Sequence, residues 1–338
     1  MPTTLKDIAA AAGVSIGTVD RALKNRGRVN PQVAEKIKEL AKEMDYHPNK
    51  IASGLVNRSR KHKIAVILHI TGNDFFDEII KGIRKAEREI RDYGMSVQIY
   101  PCKDFDASMQ LANIEQAIAE GANAIVIVPI NSTDVSKKIR QLGKENFPVV
   151  FLNTYLNRVS CFSSIHCDYF RSGRIGAMLL NLIAHDEGHA MAFFPSTVML
   201  GNNARKEGCM DYFHSNPCPL RLEKIVELSN NKESNYDLMI KELTKHKDVG
   251  SILFCGDAKM GVSVLDSIDR PLKAVFYDFA DETRQGLKSG RINAAITQAP
   301  RDQGYQSINV LFQYFTSGKI PPKDILMDSQ IMFKESID

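Results

Sequence analysis

The sequence predicts two parts of different class: a small all-α head with a helix-turn-helix layout, and a large α/β body of two doubly wound lobes with parallel sheets. Three observations predict this. Three short runs near the N-terminus carry apolar residues at helical spacing, separated by turn residues. From Ile64 onward, ten short apolar runs alternate with segments of helical periodicity. Ten runs suit two lobes rather than one sheet. Finally, 338 residues, 43% of them hydrophobic, suffice for about two domains with real cores.

Charge divides the chain at the same place. The net charge is only +4, but residues 1–63 hold 13 Lys and Arg against 6 Asp and Glu, and the remainder 31 against 34. A basic head therefore precedes a mildly acidic body, which suits a polyanion-binding module. No apolar run approaches a membrane span, and the N-terminus lacks a secretory apolar core. The expected location is cytoplasmic, with no membrane partner. Six cysteines without a CxxC pair read as reduced thiols, mostly buried.

In the head, Leu5, Ile8, Ala9 and Ala12 form one apolar stripe, which Gly13 breaks. Ser15 is a suitable N-cap for a second helix from Ile16 to about Lys24, with Val19, Ala22 and Leu23 inward. Two brief helices around a short Gly-containing turn make the helix-turn-helix layout. Asn30-Pro31 then starts a third helix, striped by Val33, Ile37, Leu40, Ala41 and Met44.

The run Leu5 to Leu23 resembles the N-terminal signature of the LacI/GalR family of bacterial transcription regulators, and Tyr46 to Leu55 resembles that family's hinge helix at its spacing. The resemblance implies domains at 1–47 (DNA-binding), 48–63 (hinge and linker) and 64–338 (effector binding and dimerisation). It implies that the second helix enters the major groove of double-stranded operator DNA. Ile16 and Gly17 would then read bases, Ile16 through apolar contact such as a thymine methyl. Arg21 could grip guanine in bidentate fashion. Thr4, Thr18, Lys24, Asn25 and Arg28 match phosphate-contacting positions. Asp20 departs from the family's usual Ser; it would accept from a cytosine amino group or pair with a neighbour such as Lys24.

The hinge, Asn49 to Asn57, would be a helix too short to stand alone, further weakened by Gly54. It is expected to order only against its twin in a homodimer, with Leu55 wedged between base steps.

In the body, strands are expected at 64–70, 95–100, 123–129, 148–153, 163–167, 189–194, 222–228, 250–254, 273–277 and 293–297. Ligands in such folds bind beyond the carboxyl ends of the strands. The order of motifs resembles the type I periplasmic sugar-binding proteins, so the body is expected to be a periplasmic-binding-protein-like effector domain. Its lobes would comprise about 64–167 with 299–325, and 168–298 with 326–338. Matched positions imply sugar contacts from Asn73 and Phe76 in the first lobe, and from Arg205, Asp257, Asp278 and Gln298 in the second lobe and crossover. Asn131 and Asp134 fall in a matching loop. Asp, Asn, Gln and Arg pair with adjacent hydroxyls, while an aromatic face covers the C–H side of a ring. For Asp257 and Asp278 the alternative reading is a helix N-cap.

A monosaccharide or polyol effector is therefore expected; a sugar phosphate or a purine are the other candidates. The motif His185-Asp-Glu-Gly-His189 invites a metal reading, but it fits a helix C-terminus better. No metal, cofactor or enzymatic activity is expected, since no nucleotide, hydrolase or zinc-protease motif occurs. A transport-type sugar-binding protein is the alternative function.

Overall fold

A computed structural model describes residues 1–338 except 1, 2, 4, 24–28, 45–60, 70–73, 103–104, 185–187, 196–199, 230 and 338, and except the side chains of 69 and 232. The expected hinge helix with Leu55, and Thr4, Lys24, Asn25, Arg28 and Asn73, lie outside the described residues. The chain divides into two compact units, residues 1–60 with 313–320, and residues 61–312 with 321–338.

The head contains α1 (Leu5–Ala12), α2 (Ile16–Leu23) and α3 (Pro31–Glu43). Gly13 takes φ +67°, the left-handed turn that glycine permits between α1 and α2. Ser15 Oγ accepts the Thr18 amide at 3.2 Å, and Asn30 Oδ1 accepts the Gln32 amide at 2.9 Å ahead of Pro31. Ile8, Ala9, Val19, Ala22, Ile37 and Ala41 close a common core.

The body begins with β1 (His62–His69), α4 (Asp74–Ile90), β2 (Met95–Cys102), α5 (Ala107–Ala119), β3 (Ala124–Ile127), α6 (Thr133–Lys144), β4 (Val149–Leu152) and β5 (Ser163–Cys167). It continues with α7 (Tyr169–Ala184), β6 (Gly188–Pro195), α8 (Leu200–Ser215), β7 (Leu220–Leu228), α9 (Lys232–Lys245) and β8 (Val249–Phe254). Then come α10 (Ala258–Ser267), β9 (Lys273–Tyr277), α11 (Asp281–Ser289), β10 (Ala294–Thr297), α12 (Pro300–Ser317), β11 (Asp324–Met327) and β12 (Gln330–Met332).

Two six-stranded sheets result, ordered β2-β1-β3-β4-β5-β11 and β7-β6-β8-β9-β10-β12. Every pairing is parallel except β10 with β12. All ten expected strands are present; β11 and β12 are additional edge strands. In each sheet the strand order reverses beside the first strand (β1 or β6), the switch point where such folds leave a crevice at the carboxyl ends.

The central strands β3 and β4 are buried on both faces, which suits their unbroken apolar composition. The chain passes between the lobes three times, after β5, after β10 and after β11. Helix pairs pack unusually close in each lobe. Gly82 of α4 and Gly304 of α12 each face a backbone carbonyl of the other helix, so an added Cβ would overlap it. Gly208 of α8 and Gly173 of α7 do the same in the second lobe.

Candidate functional site

In the head, Val19 and Ala22 turn inward, which leaves the opposite face of α2 outward. Ile16 is 49% exposed. Gly17 beside it is open, and Arg21 is exposed, with its Nε donating to the Gly17 carbonyl at 3.0 Å. Thr18 and Ser15 hydroxyls lie 2.9 Å apart. Asp20 is half-buried on the same helix. Ile16, Gly17, Asp20 and Arg21 thus share one surface at the start of the second helix.

In the body, a cavity of about 500 Å³ opens between the lobes. Its first-lobe wall comes from the start of α4, including Asp74, Phe75, Asp77 and Glu78. Its second-lobe wall comes from the carboxyl ends of β8, β9 and β10, including Asp257, Asp278, Phe279, Asp281 and Glu282. Lys81, Lys259, Arg284 and Arg301 also line it, but the acids predominate. Burial pushes the Asp74 carboxyl up, and Glu282, Asp281, Asp77 and Asp257 push it further the same way.

The chemistry is densest around Arg205. Its side chain on α8 is buried, 2% exposed, with the guanidinium over the rings of Tyr169 and Tyr277 at 4.9 and 4.3 Å. Nη1 donates to Cys255 Sγ at 3.0 Å, while Nε and Nη2 have no hydrogen-bond partner among the described residues. Burial opposes its charge, but Cys255, Tyr277, Asp278 and Tyr169 together outweigh that and raise its pKa. A buried guanidinium with two unused donors is costly unless an acceptor arrives.

Gln298, 3% exposed, supplies one half of the matching pattern. Its Nε2 donates to Asp278 Oδ1 at 2.5 Å, and its Oε1 has no hydrogen-bond partner among the described residues. Gln298 is itself held by Gln303, whose Nε2 donates to the Gln298 carbonyl at 2.8 Å. Asp278 lies at φ +68°, and burial pushes its carboxyl up against the opposing effects of Arg205 and Gln298. The cap of α11 is Ala280, so the N-cap alternative for Asp278 does not describe it. Asp257 does both jobs: it lines the cavity and accepts the Met260 amide at 3.0 Å as the cap of α10.

Arg205 and Gln298 do not themselves line the cavity; both act on Asp278, which does. Three other expected residues lie elsewhere. Phe76 is buried in the first-lobe core, 5% exposed, and Phe75 faces the cavity instead. The cause is helix phase: Phe76 continues the inward stripe of Ile79, Ile83, Ala86 and Ile90. Asn131 is exposed and does not line the cavity. Asp134 is exposed in the first turn of α6, 3.4 Å from Lys137, with both side chains 70% exposed.

One residue escaped the sequence reading. Asn153, at the end of β4, is 5% exposed at φ +64°, and its carbonyl accepts from the Tyr169 hydroxyl. No composition signal marks it, because a left-handed Asn after a strand looks like any turn residue.

A helix-turn-helix head followed by a two-lobed, ligand-cleft body defines a class of regulator whose DNA reader and sensor share one chain. The comparisons agree with this. Residues 64–320 match the family described as periplasmic binding protein domain, and residues 4–49 match bacterial regulatory proteins, lacI family. The chain belongs to the lacI family of bacterial regulatory proteins and carries a periplasmic binding protein domain.

Catabolite control protein A of Priestia megaterium is 22% identical over 346 residues, covering 99% of each chain. HTH-type transcriptional regulator DegA of Bacillus subtilis is 28% identical over 155 residues, covering 45% of this chain and 44% of the relative. A putative LacI transcriptional regulator from Bacteroides fragilis shares the fold, with a TM-score of 0.74 at 18% identity over 82% of this chain and 98% of that one. Such relatives are regulators rather than enzymes. No described helix is long and apolar enough to cross a membrane.

Proposed function

We propose that this chain is a homodimeric repressor whose operator affinity is set by an uncharged monosaccharide or polyol bound between the lobes. In this reading residues 1–47 bind DNA, 48–63 form the hinge, and 64–338 bind the effector and dimerise. The observation that carries it is a pair of buried side chains that both act on Asp278, which lines the cavity: among the described residues Arg205 Nε and Nη2 are donors without a partner, and Gln298 Oε1 is an acceptor without one. Adjacent hydroxyls, each both donor and acceptor, satisfy that mixture. Phe75 and Phe279, on opposite walls, offer aromatic faces for the apolar side of a ring.

The acid-rich walls favour a neutral ligand over a sugar phosphate, since a phosphate would face Asp74, Asp77, Asp281 and Glu282. In the head, Ile16, Gly17, Asp20 and Arg21 would read base edges. Thr4, Thr18, Lys24, Asn25 and Arg28 would hold the phosphate backbone, and the hinge would wedge Leu55 between base steps.

Two measurements test this. A thermal-shift screen of the purified chain against monosaccharides and polyols should show a saturable rise; at 100 times the dissociation constant it corresponds to about 2.7 kcal/mol. Gel shifts with genomic fragments should give a specific complex that weakens steeply with salt and responds to the same ligand. No complex with any fragment at low salt would sink the DNA-binding half. Stabilisation only by phosphorylated or purine ligands would overturn the effector half.

A further inference from the structure

The effector cleft occupies the carboxyl ends of the second-lobe strands. The amino ends of the same sheet carry a separate cluster. His189 is the second residue of β6, Glu223 lies on β7, and Asp248 immediately precedes β8. His189 Nδ1 lies 3.0 Å from Glu223 Oε2 and 3.7 Å from Asp248 Oδ2, and the three donor atoms all fall within 4.8 Å of one another. His246, the cap of α9, brings its Nδ1 to 3.7 Å from the other Glu223 oxygen.

Two backbone features aim this cluster. The β6–β7 register shifts at Ala190, which pairs with Leu222 while Met191 pairs with Lys224, so Glu223 is the extra residue. The β6–β8 register shifts at the adjacent step, with His189 opposite Val249 and Ala190 opposite Ser251. Both neighbours of β6 therefore break register within one residue of His189. Bulges re-aim side chains and disturb ladder hydrogen bonds, and they concentrate where a side chain has a task.

We propose that His189 Nδ1, Glu223 and Asp248 bind one first-row divalent metal ion such as Zn²⁺, with solvent in the remaining position. The donor set is one such ions favour, imidazole with carboxylates. Metal–donor bonds of ~2.0–2.1 Å set tetrahedral donor–donor separations of about 3.3 Å, and the separations here bracket that value. The side chains are 33%, 35% and 58% exposed, so an ion can reach them from solvent. Bound metal would tie β6, β7 and the turn before β8 together, at the end of the lobe remote from the effector. The suggestive sequence run His185 to His189 contributes only its last member here; the other donors come from separate strands.

The test uses the full-length chain without a polyhistidine tag, stripped with a chelator. Calorimetric titration with Zn²⁺ should give one ion per chain and a raised melting temperature. Cobalt should give a tetrahedral visible spectrum without a thiolate charge-transfer band, which separates this site from the six cysteines. His189→Asn and Asp248→Asn should each lose at least tenfold in Zn²⁺ affinity and most of the thermal rise. Their metal-free melting curves confirm that they fold; Asp248→Asn, at an exposed position, is the safer of the two. His214→Asn, on α8, should bind as the unaltered chain does. Absence of stoichiometric binding, a thiolate band, or unchanged binding in both cluster variants would each overturn the proposal.

Discussion

The two lobes of the body repeat one plan and fill it with different chemistry. Their sheets run β2-β1-β3-β4-β5 and β7-β6-β8-β9-β10, the same order twice. Each first helix crosses an incoming crossover helix at a pair of glycines, Gly82 with Gly304 and Gly208 with Gly173. Each fourth strand ends in a left-handed residue, Asn153 at φ +64° and Asp278 at φ +68°. Yet three residues before Gly82 stands Ile79, fully buried among apolar neighbours, and three residues before Gly208 stands Arg205. The shared features build the scaffold. At that one helical position the first lobe has an apolar core residue and the second a buried charge that acts on Asp278.

Arg205→Met tests that difference most severely. It should weaken effector binding by roughly 30-fold or more, because removing one partner of a buried charged hydrogen bond costs about 2–5 kcal/mol. The unliganded variant should be as stable as the parent or more so, since a buried charge with unmet donors carries a desolvation cost that Met lacks. The equivalent Ile79→Ala should do the reverse. Opening a core cavity costs about 2–5 kcal/mol of stability, with affinity unchanged. Titration calorimetry and denaturant unfolding read both quantities. If both variants changed affinity alike, the lobes would share the binding chemistry and the comparison would fail.

The glycine crossings should behave alike, because there the plan is the same. Gly82→Ala and Gly208→Ala each push a methyl into a backbone carbonyl, Arg301's in one lobe and Phe170's in the other. Backbone cannot rotate away as a side chain can. Each variant should lose about 1–3 kcal/mol of stability, the usual cost of overpacking. A loss in one lobe only would show that the two crossings are not equivalent.

Asp278 and Asn153 separate the lobes by pH. Burial raises the Asp278 carboxyl above an ordinary aspartate. The folded chain therefore holds that proton more tightly than the unfolded chain. Its contribution to stability improves as pH falls through the raised value, and is least favourable above it. Effector affinity should move the other way, because protonation removes an acceptor. In Asp278→Asn both trends should flatten, whereas Asn153→Ala leaves the pH profile as it was.

Much of this arrangement was legible in the sequence, and the gaps have physical causes. Apolar runs marked the first ten strands: the eight inner ones are parallel strands that need largely apolar stretches, and the edge strands β2 and β7 are long enough to show an alternating pattern. β11 and β12 are edge strands of four and three residues with exposed positions, too short and too mixed to stand out. Arg205 was legible through the resemblance of the run Ala204 to Gly208 to the sugar-binding proteins, not through any local pattern. Helix phase places Phe76 inward and Phe75 outward: residues 76, 79, 83, 86 and 90 form one helical stripe, and Phe75 falls outside it. Asn153 and the His189 cluster depend on tertiary register, which no local pattern encodes.

The smallest predicted effect bears on the loop after β3. Asn131 and Asp134 matched a binding loop by motif order, yet both are exposed, and neither lines the cavity. Asp134 stands in the first turn of α6, where a carboxylate also suits the helix dipole, and its ion pair with Lys137 is open to water. Exposed pairs of this kind contribute about 0–1 kcal/mol. Asp134→Ala should therefore shift stability by less than about 1 kcal/mol and leave effector affinity within about twofold. A tenfold loss of affinity would instead bring the loop after β3 into contact with the ligand. The position of Arg205 would then no longer be what distinguishes the two halves.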